Sequence, residues 1–196
     1  MDVAIIGGGV TGASLLHWAR RRGLEAALLE RERLAWGATG RNAGFLLAGV
    51  AANYADAVEV HGRALAREVW EFTIDNHRRL AEVLAGADAG YRRAGSWVAA
   101  ADADEAAQLQ AAVELMREDG LDATWVPSPA VRGADLGALL SPGDGELDSG
   151  AAVRAVAGGG DARELWPGAS RRATPLGTAS SPSTSTPSRT SPPPAT

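Results

Sequence analysis

Hydrophobic and polar positions follow two different rhythms over the first thirty residues. Asp2–Ile6 is a short, continuous apolar run ending in glycines, which predicts a strand buried on both faces of a parallel sheet. From Val10 to Arg22 the spacing turns helical, with Leu15, Leu16 and Ala19 on one side, arginines at the far end and Gly23 as a stop. Ala26–Leu29 is again short and apolar, at a distance that suits a right-handed crossover to a parallel neighbour. The predicted opening is therefore a βαβ unit, and the predicted fold class is α/β and Rossmann-like, with further helices and short strands.

Beyond it, a glycine-rich loop covers Trp36–Gly49, followed by a helical stretch from Tyr54 to Leu84 that Gly62 divides. Leu65, Val69 and Phe72 are its predicted apolar stripe, and Trp70, Phe72, Trp97 and Trp125 are predicted core aromatics. Ser96–Ala100 reads as a strand. Asp102 with Glu105 is a capping-box-like start for a helix whose stripe is Ala106, Leu109, Val113 and Met116; a helix start accounts for the acidic group Asp102, Asp104 and Glu105. Thr124–Val126 reads as a strand and Pro142–Gly145 as a turn. Most residues from Pro175 to Thr196 are Ser, Thr or Pro, a composition that builds no core. The expected organisation is one domain over residues 1–157 and a low-complexity tail over 158–196, flexible rather than a glycosylated stalk because no secretion signal is recognisable.

Composition narrows the functional classes. A net charge of -5 argues against a nucleic-acid partner, which needs a concentrated positive face. The absence of cysteine removes disulfides, thiolate ligands and flavin attachment through sulfur. His17, His61 and His77 lie too far apart for a paired ligand motif, so no metal site is expected. His17 is read as a packing or surface residue, and His61 and His77 as solvated helix positions. With the apolar start broken by glycines, a cytoplasmic protein without a membrane segment is expected.

The candidate chemistry sits at the first turn. Gly7-Gly8-Gly9-Val10-Thr11-Gly12 fits G-x-G-x-x-G between a predicted strand and a predicted helix, the context that gives this pattern meaning. Gly7 suits the tight turn, Gly9 the approach of a pyrophosphate, and Gly12 the close packing of helix on strand. A diphosphate placed there meets exposed N–H groups and the positive end of the helix dipole. Glu30, roughly 18 residues past Gly12 at the end of the second strand, suits the two hydroxyls of an adenosine ribose and disfavours a 2′-phosphate. FAD and NAD share these requirements. The loop Gly37-Ala38-Thr39-Gly40-Arg41-Asn42-Ala43-Gly44-Phe45 adds small residues, a hydroxyl, a guanidinium and an amide suited to an extended anion.

GGGVTG and GATGRNAG, joined by LLERERLAW, resemble the FAD-dependent oxidoreductases of the D-amino-acid oxidase, glycine oxidase and sarcosine oxidase family. The Gly-Arg-Asn form is similar to bacterial members acting on amines such as γ-glutamylputrescine. The resemblance continues through Arg92–Ser96 and Ser141–Asp148 and ends near Ala157. It implies that Gly7, Gly8, Gly9, Val10, Thr11 and Gly12 serve the diphosphate, Glu30 and Arg31 the adenosine side, and Thr39, Gly40, Arg41, Asn42, Ala43 and Gly44 the diphosphate and flavin. It also implies hydride transfer from the carbon beside an amine or amino-acid nitrogen to the flavin. Leu16 stands where the family has a small residue, from which a slight displacement of the helix is expected. No residue emerges as catalytic. The abrupt compositional change at Gly158, with all 19 basic residues arginine, leads to the expectation of a truncated or frameshifted member. Two alternatives stay open: a noncatalytic nucleotide-binding remnant of such an enzyme, and an NAD-dependent dehydrogenase.

Overall fold

The computed structural model describes residues 1–158; the expected low-complexity tail lies outside them, apart from Gly158. The chain opens with β1 (Val3–Ile6), α1 (Val10–Arg21) and β2 (Ala26–Leu29), and β1 and β2 pair in parallel from Val3↔Ala26 to Ile6↔Leu29. Ile5, Ala13, Leu16 and Leu28 form the core between helix and strands. Each fully buried Leu contributes about 1.5–3 kcal/mol. Leu16 is completely buried, and Gly12 still lies directly against the Gly7 carbonyl, so the expected displacement of α1 is not found. Two other expectations are corrected here. Leu15 is exposed, because Gly12, Ala13 and Leu16 define the buried side of α1. Among the described residues strand β1 is covered on one face: Ile5 points at α1, while Ala4 and Ile6 alternate to the other side and Ile6 is 87% exposed.

A single turn of 3-10 helix (Ala38–Arg41) and the two-residue strand β3 (Phe45–Leu46) lead to α2 (Tyr54–His61) and α3 (Arg63–Val83). Gly62, at φ 82°, separates the two helices where the break was expected. Asp102 caps α4 (Ala103–Glu118) by accepting from Glu105 N, and the Glu105 carboxylate reaches back to Ala101 N. Strands β4 (Ser96–Ala99), β5 (Thr124–Val126) and β6 (Ala138–Ser141) make an antiparallel sheet in the order β4-β6-β5. Helices α2, α3 and α4 pack with this sheet around Tyr54, Trp70, Leu109, Val113 and Met116.

The stripe assigned to α3 is rotated. Ala66, Trp70 and His77 form its buried side, whereas Leu65 and Phe72 are exposed, Phe72 to 73%. The Trp70 ring meets Tyr54 edge-on at 5.0 Å, and this aromatic pair sets the helix rotation. His77, seven residues on from Trp70, is carried to the same side, so it is buried instead of solvated; His61 is exposed as expected. Trp97 is also exposed, because it shares a sheet face with Leu140 and Thr124, opposite the face on which Leu139 and Trp125 meet the core.

The last described elements are β7 (Gly145–Glu146) and α5 (Ser149–Val156), the latter capped by Asp148, which accepts from Ala151 N. Strand β7 pairs antiparallel with β3, and α5 lays Val153 and Ala157 onto the βαβ core. The glycine-rich loop is thereby enclosed by a segment roughly a hundred residues further along the chain.

Candidate cofactor site

The glycine turn is shaped by backbone contact. A Cβ on Gly12 would stand 1.9 Å from the Gly7 carbonyl oxygen, so α1 approaches the end of β1 more closely than any other residue allows. The helix begins at Gly9, which offers no side-chain cap, and its first turn contains no acidic residue. An uncapped N-terminus leaves N–H donors and the positive end of the dipole facing outward. Among the described residues the side chain that meets them is that of Thr39, whose Oγ1 accepts from Val10 N at 3.2 Å.

Glu30 closes the other side of the turn. Its Oε2 accepts from Gly8 N at 2.6 Å and its Oε1 from Glu32 N at 2.7 Å. Burial opposes ionisation, but the backbone donors of Glu32, Gly8 and Arg31, with the Arg31 charge, outweigh it and hold the carboxyl below its ordinary 4.5. Glu30 is thus an anion at neutral pH. It is suited to accept from sugar hydroxyls and hostile to a phosphate in the same place. A neighbouring turn, missed in the sequence, supports it: Ala35, at φ 61°, donates its N–H to the Gly8 carbonyl, and Leu34 covers Gly8.

After the 3-10 turn, Asn42 organises the loop. Its Nδ2 donates to the Thr39 carbonyl, and its Oδ1 accepts from Gly44 N and from the Ser149 hydroxyl at 2.9 and 2.6 Å. Gly44 has φ 76°, and a Cβ there would lie 2.1 Å from the Leu147 carbonyl, so the position excludes side chains on both counts. Between this loop, α1 and α5 opens a cleft of about 400 Å³ whose walls include Val10, Thr39, Asn42, Ala43 and Gly44. Ser14, Phe45, Leu46, Leu147, Ser149 and Val153 complete much of the lining. None of these was singled out in the sequence as a cleft residue; Leu147 and the residues of α5 come from a distant segment. The helical spacing of Ala152, Val153 and Val156 was the available signal.

The cleft and the glycine turn adjoin through Val10 and Thr39, so most of the singled-out residues converge. Gly7, Gly8, Gly9, Thr11 and Gly12 form the turn and first helical residues, and Glu30 lies against Gly8. Gly40 is packed against the Ala35 carbonyl, where it allows the 3-10 turn to close. Two residues point elsewhere. Arg31 is exposed and pairs with Glu32 at 3.6 Å; Arg41 is exposed, its Nε donating to the Gly37 carbonyl. Among the described residues no helix is long and apolar enough to cross a membrane.

A parallel βαβ unit with a glycine-shaped helix start and an acid ending the second strand defines a dinucleotide-binding protein of the Rossmann type. Residues 2–164 match the family described as FAD dependent oxidoreductase (DAO), and the chain belongs to that family. Glycine oxidase from Bacillus cereus superimposes with a TM-score of 0.56 and 29% identity over 80% of this chain and 42% of its own. The 4-methylaminobutanoate oxidase (formaldehyde-forming) of Paenarthrobacter nicotinovorans is 26% identical over 161 residues, 78% of this chain and 18% of the relative. A subunit of the anaerobic glycerol-3-phosphate dehydrogenase of Haemophilus influenzae is 54% identical over 48 residues, 24% of this chain and 8% of the relative. The chain thus spans about two fifths of the glycine oxidase structure and a smaller share of these curated relatives.

Proposed function

We propose that residues 1–157 form the FAD-binding part of an oxidoreductase that oxidises an amine or amino acid at the carbon beside nitrogen. The observation that carries this is the uncapped start of α1, closed onto Gly7 by Gly12 and flanked by the Glu30 carboxylate. In this reading Gly7, Gly8, Gly9, Val10, Thr11 and Gly12 present backbone donors to the diphosphate, and Glu30 exchanges its bonds to Gly8 and Glu32 for ribose hydroxyls, with Arg31 beside it. Thr39, Gly40, Arg41, Asn42, Ala43 and Gly44 follow the diphosphate towards the flavin, where the apolar cleft excludes water. Bound FAD supplies the hydride acceptor, and the oxidised substrate is the corresponding imine. The groups that orient the substrate are assigned to the part of the family fold outside residues 1–158.

The amine class is favoured over glycerol phosphate on identity: over about four fifths of the chain it is 29% with glycine oxidase and 26% with the methylaminobutanoate oxidase but 18% with the glycerophosphate oxidase of Mycoplasma pneumoniae, and the match to the glycerol-3-phosphate dehydrogenase is confined to a short stretch. The test is a visible absorption spectrum of the full chain mixed with FAD and freed of excess by gel filtration. Retained flavin bands, lost in Gly12→Val and not displaced by NAD, are the expected result. A colourless chain would refute the assignment. Bleaching of the retained flavin by amines but not by glycerol phosphate then tests the substrate class.

A further inference from the structure

One carboxylate stands apart from the residues assigned to the cofactor. Asp144 is 4% exposed, in the turn between β6 and β7, and each of its oxygens has one donor. Its Oδ1 accepts from Ala48 N at 2.9 Å, across 96 positions of sequence, and its Oδ2 accepts from the Ser96 hydroxyl at 2.6 Å. Its backbone carbonyl accepts from Gly95 N. The same turn runs directly into the segment that holds the loop: Gly145 and Glu146 pair with Leu46 and Phe45, Leu147 N donates to the Gly44 carbonyl, and Ser149 bonds Asn42. Asp144 is thus the anchor at one end of a zip that runs along the cleft wall from Ala48 back to Asn42.

Packing holds Ala48 from one side, where it lies half-buried against the core cluster around Trp70. Behind it lies a second cavity of about 350 Å³, lined by Ala48, Asp144 and His77 among others, so the backbone there borders open space. Beyond its contact with the Trp70 ring, the segment is positioned by directional bonds: Ala48 N donates to Asp144 Oδ1 and Gly49 N to Thr73 Oγ1 at 2.8 Å. We propose that Asp144 is a positioning residue for the cofactor: by fixing Ala48 it sets the place of the Asn42–Leu46 wall against the flavin, and by holding Ser96 it ties that wall to the β4-β6-β5 sheet. The proposal rests on the FAD reading above.

The chemistry separates two substitutions. Asp144→Ala removes both acceptors and leaves Ala48 N–H directed at the cavity. Asp144→Asn keeps the shape: its carbonyl oxygen serves Ala48 N–H, and its NH2 donates to the Ser96 hydroxyl, which can reverse its role. The experiment measures FAD dissociation constants and amide hydrogen exchange over Asn42–Gly49 in the full chain and in Asp144→Ala, Asp144→Asn and Ser96→Ala. Arg63→Ala, which breaks the cluster of Arg63 with Asp119 and Glu118 away from the cleft, is the control for a general loss of stability.

The expected result for Asp144→Ala is FAD binding weakened about tenfold and exchange at Asn42–Gly49 accelerated by about the same factor, as befits loss of a buried charge-assisted bond. Asp144→Asn restores both to within about threefold, Ser96→Ala falls between, and Arg63→Ala moves neither at a comparable loss of melting temperature. Unchanged binding and exchange in Asp144→Ala overturns the proposal, as does an equal effect of Arg63→Ala. Should Asp144→Ala not fold, Ser96→Ala decides: local exchange no faster than in the parent overturns it. If the parent retains no FAD, it is the cofactor assignment that fails, and exchange at Ala48 and Gly44 still decides whether Asp144 holds the loop.

Discussion

Replacing Gly12 by alanine sets two physical effects against each other. Gly12 is inside α1, where alanine is the better helix former by about 1 kcal/mol, so propensity alone predicts stabilisation. The packing predicts the reverse. The new Cβ would begin 1.9 Å from the Gly7 carbonyl oxygen, and reaching ordinary contact at 3.4 Å requires backbone to move, since no flexible side chain is there to yield. The movement must come from α1, whose Ala13 and Leu16 are fully buried against Ile5 and Leu28. Overpacking of this kind costs about 1–3 kcal/mol, and the top of that range applies where backbone meets backbone. The net expectation is a loss of about 2 kcal/mol, a fall in melting temperature of roughly 4–8 °C for a chain of this size. Thermal unfolding followed by circular dichroism measures it, with Gly150→Ala in α5 as the reference, where the nearest atoms are at 3.3 Å and include the mobile end of Arg154. A Gly12→Ala protein as stable as the parent or more so would refute the close-approach argument and with it the geometry proposed for the diphosphate.

Further outcomes follow from particular side chains. Leu16→Ala, at a completely buried position, is expected to cost about 2–5 kcal/mol in urea unfolding, with a larger loss than Leu15→Ala on the exposed side of the same turn. Glu30 has a folded pKa below its ordinary 4.5, so its contribution is complete above that value and is lost as the pH falls through the folded one; the urea midpoint of the parent should therefore decline on acidification more steeply than that of Glu30→Gln. Tyr54 behaves in the opposite sense. Burial, then its hydrogen bond to the Asp119 carboxylate, pushes its hydroxyl up from 10.0 to about 12, so the folded form holds the proton longer and stability is lost as the pH rises between these values. Tyr54→Phe should remove the late-titrating tyrosine from the ultraviolet titration and flatten that alkaline decline.

Local patterns were legible wherever one element carries its own signal. The βαβ opening, the Gly62 break and the Asp102 cap depend on residues within a few positions of each other, through strand alternation, glycine conformation or a side chain reaching its own helix. Errors arose where a partner chooses the face. The α3 stripe Leu65–Val69–Phe72 has helical spacing, yet so does Ala66–Trp70–His77, and the contact of Trp70 with Tyr54 selected the second. His77 became buried for the same reason. The exposure of Leu15 and Ile6 likewise reflects which sides of α1 and β1 the described elements cover.

The sequence by itself therefore determined the glycine turn proposed for the nucleotide, because Gly7, Gly9, Gly12 and Glu30 act through backbone geometry and strand order set within thirty residues. It also pointed to the loop from Thr39 to Gly44. Tertiary structure alone decided that this loop becomes one wall of a cleft, since β7, Leu147, Ser149 and α5 supply the other hydrogen bonds and apolar surface from far along the chain. Strands of two residues such as β3 and β7 have too few positions to show a period, and they exist because each pairs with the other. Asp144 makes the same point at one residue: read in the chain it is a turn aspartate, and only the fold brings Ala48 N and Ser96 Oγ to its two oxygens.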